Sequence, residues 1–108
     1  MLSILRLDQN ELTYLPSKIT QLIYLEELAF SNNKVSELPN NLHLLKHLTI
    51  LSFFKNKIKH IPEEIGELTE LKGLFIHQNE FNSLPCSIIN LKKLEEFSLE
   101  WFNYANPP

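Results

Sequence analysis

The chain has 108 residues, of which 44% are hydrophobic and 21% charged, a length and balance that fit one folded domain with one continuous core. Its 10 Lys plus Arg against 13 Asp plus Glu leave a formal net charge of −3, which excludes a general electrostatic pull toward phosphate backbones or anionic lipid. The single cysteine, Cys86, excludes an internal disulfide, and no apolar run approaches the roughly 20 residues that cross a bilayer.

Self-similarity organises the sequence. In the first unit, 2–24, apolar residues fall at Leu2, Leu5, Leu7, Leu12, Leu15, Ile19 and Leu22, with Asn10 and Pro16 among them. A step of 23 residues gives the second unit, 25–47: Leu25, Leu28, Phe30, Val35, Leu38, Leu42 and Leu45, with Asn33 and Pro39. The third, 48–70, has Leu48, Leu51, Phe53, Ile58, Ile61, Ile65 and Leu68, with Asn56 and Pro62. The fourth, 71–93, has Leu71, Leu74, Ile76, Phe81, Leu84, Ile88 and Leu91, with Asn79 and Pro85. All seven positions are apolar in all four units. At 44% apolar composition, chance would give this about once in 10^10 trials, so the repeat is real.

Each unit predicts the same elements in the same order. Alternations such as Leu28-Ala29-Phe30 and Leu74-Phe75-Ile76 predict a strand with one buried face. Stacked units place these strands side by side in a parallel sheet, and the second half of each unit supplies the crossover that such a sheet needs. The Asn at the bend carries both a carbonyl and an amide, so it can pair backbone groups of its own unit and of the next. Pro then opens a short helical or extended return, where its missing N–H is not required. The unit 94–108 departs from the rule: Leu94, Phe97 and Leu99 keep the strand, but Phe102 takes the Asn slot and Pro107-Pro108 the Leu-Pro slot. Aromatic bulk closing the core and a divergent repeat that continues are both consistent with it. A complete unit directly after Met1, with no cap before it, gives the expectation that the chain is a piece of a longer protein.

The pattern Leu-x-x-Leu-x-Leu-x-x-Asn-x-Leu-x-x-Leu-Pro-x-x-Ile-x-x-Leu resembles the leucine-rich-repeat family, from Leu2 to about Leu99. Its Leu-Pro-x-x-Ile second half is similar to the intracellular Ras-group repeats. The resemblance implies an α/β leucine-rich-repeat solenoid, with a curved parallel sheet on the concave face and short helical or extended returns on the convex face.

Strand side chains that are not buried should form lateral rows on that concave face. One row is Arg6, Ala29, Ser52, Phe75 and Ser98; the next is Asp8, Ser31, Phe54, His77 and Glu100; a third is Gln9, Asn32, Lys55, Gln78 and Trp101. Phe54 and His77 should then lie about 5 Å apart on adjacent strands. Aromatics on an open sheet face are typical interface anchors. The expected protein-binding patch is therefore Phe54, Phe75, His77 and Trp101, rimmed by Lys55, Lys57, Gln78 and Glu100. The competing reading folds Trp101 onto the last unit as a lid and leaves the phenylalanines as isolated surface rings.

Other constellations carry less. His43 and His47 have helical metal-ligand spacing, but no acid or thiol joins them on that face. Cys86 matches Ser17, Asn40 and Glu63, a tolerant loop position on the side opposite His77. Glu63, Glu64, Glu67 and Glu70 read as a solvated convex face, since acid–base chemistry needs an enclosed carboxylate. Two glycines, Gly66 and Gly73, offer no phosphate-cradling loop. The lysines of 55–60 cross a bend and read as diverging, so no nucleic-acid partner is expected.

These readings converge on a protein that is not an enzyme and needs no cofactor or metal. The expectation is a cytoplasmic interaction scaffold in intracellular signalling, because the chain lacks a secretory opening, paired cysteines and any Asn-x-Ser/Thr site. The family resemblance implies a protein partner such as a small GTPase, kinase or phosphatase pathway component. The alternative is a targeting or autoinhibitory module of a larger cyclase, kinase or ubiquitin ligase.

Overall fold

A computed structural model describes Met1–Ser98. Five short strands, β1 (Ile4–Arg6), β2 (Glu27–Ala29), β3 (Ile50–Ser52), β4 (Gly73–Phe75) and β5 (Glu96–Ser98), form one all-parallel sheet in sequence order. Four 3-10 helices separate them: η1 (Ser17–Gln21), η2 (Leu42–Leu44), η3 (Glu63–Glu67) and η4 (Cys86–Asn90). The register places Leu5, Leu28, Leu51, Leu74 and Phe97 opposite one another, so residues 23 apart are lateral neighbours along one spine. Every coil therefore adds one strand and one return to the same two layers.

The returns start as the prolines require. Pro16, Pro62 and Pro85 are extended, and their carbonyls accept the N–H of Ile19, Ile65 and Ile88, three residues on. That i to i+3 bonding is the 3-10 pattern. The second return differs. Asn41 adopts the left-handed region at φ 68°, which Asn tolerates better than most residues, and η2 shrinks to three residues.

The core lies between sheet and returns. Leu25, Leu28, Leu45, Leu48, Leu51, Ile58, Leu68, Leu71, Leu74 and Ile76 are fully buried, and the Phe30 and Phe53 rings stack at 5.6 Å. The first coil is looser: Leu5, Leu7 and Leu12 are half-buried, and Leu2 is 49% exposed. Being apolar at the repeat position thus does not bury Leu2, because no coil covers it among the described residues.

The bend asparagines form a ladder whose direction corrects the expectation: Asn33, Asn56 and Asn79 each reach the preceding coil, not the next. Asn33 Nδ2 donates to Phe30 O and Ser31 O of its own coil and to Leu7 O of the coil before. Its Oδ1 accepts the N–H of Asn10 and Leu12. Asn56 does the same with Phe30 O, Phe53 O and the Val35 N–H, and Asn79 with Phe53 O, Ile76 O and the Ile58 N–H. Backbone groups leaving the sheet are paired in this way, where an unpaired buried group would cost about 1–3 kcal/mol.

Ion pairs join the surfaces of successive coils: Arg6–Glu27 at 2.8 Å, Lys46–Glu67 at 3.5 Å, Lys59–Glu80 at 3.7 Å and Lys93–Glu70 at 2.8 Å. Two members of the expected solvated acidic face, Glu67 and Glu70, are therefore paired across coils. The hydrogen bond from Lys93, and then its charge, hold the Glu70 carboxyl below its ordinary range. Arg6 is pushed up by its hydrogen bond to Glu27 and that carboxylate's charge. Apart from the half-buried Glu27 their side chains are exposed, so solvent screens them and each contributes little.

Candidate protein-binding face

Alternation along five strands presents three lateral rows on the open face of the sheet. The lowest, Ile4, Glu27, Ile50, Gly73 and Glu96, was not among the rows expected. The middle row is Arg6, Ala29, Ser52, Phe75 and Ser98, as anticipated. Above it run Asp8, Ser31, Phe54 and His77, held by bonds between coils: Ser31 N–H donates to Asp8 Oδ1 at 2.7 Å, and Phe54 N–H to Ser31 Oγ at 3.1 Å.

The face changes character along its length. From the first coil to Ser52 its polar groups are internally satisfied, although Ile4 is exposed in the lowest row. The Arg6 guanidinium donates to both Glu27 carboxylate oxygens, and the Ser31 and Ser52 hydroxyls, both buried, pair at 2.7 Å. At the third and fourth coils it becomes aromatic. The Phe54 and His77 rings stack almost parallel, 4.6 Å between centroids with 7° between planes. A hydrogen bond of 2.6 Å between His77 Nδ1 and Ser98 Oγ fixes the imidazole from the other side. Phe75 turns the other way along its strand. A Cβ on Gly73 would stand 3.0 Å from Phe75 Cε2 and 3.8 Å from Ile50 Cγ1, so the glycine makes room for the ring beside Ile50.

The structure thus brings Phe54, Phe75 and His77 onto one face, all half-buried, but in two groups. One is the Phe54–His77 stack and the other is Phe75 with Ile50. Lys55 and Gln78 do not extend the strand face. With Gln9 and Asn32 they occupy the left-handed region at φ 57° and form the bend that leaves the sheet. Lys55 N–H donates to His77 O at 3.0 Å, and the Lys55 and Gln78 side chains are exposed. Lys57 follows on the same bend, also exposed. Trp101 and Glu100 lie outside the described residues.

The remaining constellations are scattered. His47 stacks on Tyr24 at 5.8 Å, while His43 lines a shallow cleft of about 600 Å³ between the second and third returns, with Pro39, Asn41, His60 and Ile65. Cys86 is exposed at the start of η4. Among the described residues no three His, Cys, Asp or Glu side chains are placed to hold a metal ion. Nor is any described helix long and apolar enough to cross a membrane.

No protein-family model matches the sequence, and no curated protein matches it. Solved structures do. A leucine-rich-repeat protein of Leptospira interrogans superposes with a TM-score of 0.88 at 36% identity over 91% of this chain. Internalin C2 of Listeria monocytogenes follows with 0.81 at 32% over 91%, and a plant peptide hormone receptor, solved in complex with RGF2, with 0.79 at 36% over 85%. The fold is a leucine-rich-repeat solenoid. The chain spans 25%, 42% and 15% of those three proteins respectively. In leucine-rich-repeat terms the open sheet is the concave face and the 3-10 returns are the convex one.

The sequence missed Ile50 and Gly73 as members of the site. Their signal was present, since both stand two residues before the Ser52–Phe75 row and so point to the same side of the sheet.

Proposed function

We propose that this leucine-rich-repeat segment is a non-catalytic interaction scaffold that holds a protein partner on its concave face. The observation that carries the reading is the pairing of the Phe54–His77 stack with Phe75 and Ile50 on a sheet surface that no other part of the described chain covers. Half-exposed aromatic rings held in fixed orientations lose little entropy on binding and make effective anchors. The similar plant receptor, which binds RGF2 in its solved complex, supports a protein or peptide ligand. The single cysteine and the absence of glycosylation acceptors support a cytoplasmic setting. There a signalling component such as a small GTPase, kinase or phosphatase is the natural partner class.

The test is affinity capture with the wild type beside a Phe54→Ala/Phe75→Ala variant, scored with its melting temperature. The expected result is loss of the captured partner, equivalent to about 2–4 kcal/mol, with a small change in melting temperature. Unchanged capture with a large drop in melting temperature would assign both rings to the core and end the reading.

A further inference from the structure

The bends of the second and third coils carry cations that no described carboxylate pairs with. Arg6, Lys46, Lys59 and Lys93 each have a carboxylate partner in a neighbouring coil. Lys34, Lys55 and Lys57 are exposed and make no ion pair among the described residues, and all three stand on the bends that follow β2 and β3. Lys34 and Lys57 occupy equivalent places in adjacent coils. Lys34 N–H donates to Leu12 O and Lys57 N–H to Val35 O, both at 2.8 Å, which sets the two backbones about 4.8 Å apart. Like charges on neighbouring rungs repel unless an anion stands between them.

Among the described residues no carboxylate takes that place. Glu80, the equivalent residue one coil on, turns to Lys59, and Glu11, one coil back, makes no ion pair. On the concave face itself Asp8 is engaged by the Ser31 N–H and Glu27 by Arg6, while Glu96 stands on the opposite, lower edge. A chain of net charge −3 therefore presents positive charge, unpaired among the described residues, on the bends that follow the strands of its aromatic face.

We infer that the partner segment seated on Phe54 and His77 is an acidic peptide, with carboxylates next to an apolar anchor. The anchor packs on the ring stack while its neighbouring carboxylates reach Lys55, Lys57 and Lys34 across the bend. This rests on the concave-face reading and adds the chemistry of the ligand to it.

The test is a peptide array of phenylalanine- and leucine-centred sequences with acidic, neutral or basic flanks, probed with the labelled 108-residue chain. Phe54→Ala and Lys34→Glu/Lys55→Glu/Lys57→Glu variants are run in parallel, with a labelled single-stranded oligonucleotide as competitor. Expected is roughly tenfold stronger retention on the acidic set, weakening as NaCl rises from about 50 to about 500 mM. The triple variant should lose that preference, and Phe54→Ala should lower retention on every set.

Equal retention across the three sets with Phe54→Ala still weakening it overturns the acidic ligand and leaves the concave face standing. A preference for basic flanks, or an oligonucleotide that displaces the acidic peptides, overturns it as well. Retention that ignores Phe54→Ala, or no retention at all, removes the concave-face reading and this inference with it.

Discussion

Asn56→Ala is expected to lower the unfolding free energy by about 3 kcal/mol, and Asn10→Ala, at the same place in the repeat, by less than about 1 kcal/mol. The difference follows from what each amide holds. Asn56 is buried and bridges two coils: its Oδ1 accepts the Val35 N–H at 3.0 Å, and its Nδ2 donates to Phe30 O at 2.9 Å and Phe53 O at 3.0 Å. Alanine leaves the Val35 N–H without its acceptor inside the core, a loss of about 1–3 kcal/mol alone. The carbonyls suffer less, because Phe30 O keeps Asn33 and Phe53 O keeps Asn79. Asn10 is exposed and donates only within its own coil, to Leu7 O and Asp8 O. Urea denaturation of the two variants checks this; equal losses would contradict a ladder directed toward the preceding coil. Asn56→Asp, which keeps the acceptor but not the donors, is expected to do no better than alanine.

Gly66→Val is expected to cost about 3 kcal/mol or more, and Gly66→Ala about 2 kcal/mol, although Gly66 lies in a short helix where a side chain ordinarily helps. A Cβ at this glycine would stand 2.5 Å from Ser87 Cβ and 2.6 Å from Ser87 O. These are atoms of the next return, and one of them is backbone, so η3 and η4 must separate to admit it. The close approach also lets Ser87 Oγ donate to Glu63 O at 2.6 Å. Ser87→Gly in the Gly66→Ala background should recover only part of the loss, since the Ser87 carbonyl stays in place. A neutral or stabilising Gly66→Ala, measured by urea midpoint, would mean that the returns are not packed this tightly.

What the sequence made legible is what repeats every 23 residues. The strand column, the bend asparagines and the proline-started returns are properties of one coil copied into the next, so the period alone locates them. What it concealed depends on particular pairs of neighbours. Gly66 stands where other coils carry Thr20, His43 and Ile89, and only the position of Ser87 explains the missing side chain. The left-handed Asn41 shortens one return of four, which no repeat average contains.

On the concave face, rows at 23 found the Phe54–His77 stack. Several polar contacts, however, run diagonally to partners 21 away, as in Ser31–Ser52, His77–Ser98 and Arg6–Glu27. Diagonal neighbours of a twisted sheet come within reach of one another, and a row count does not list them. The third expected row was placed one step too far, because Lys55 and Gln78 have already turned into the left-handed bend.

The claim beneath all of this is that consecutive residues 53 and 54 serve opposite sides of one sheet. Phe53 is fully buried against Phe30 in the spine, while Phe54 stacks on His77 at the open surface. Urea unfolding of the two alanine variants side by side tests it most directly. Phe53→Ala should lose about 3–5 kcal/mol and Phe54→Ala less than about 1 kcal/mol. Equal, large losses at both positions would contradict it, because Phe54 would then belong to the core and the face would have no anchor to offer.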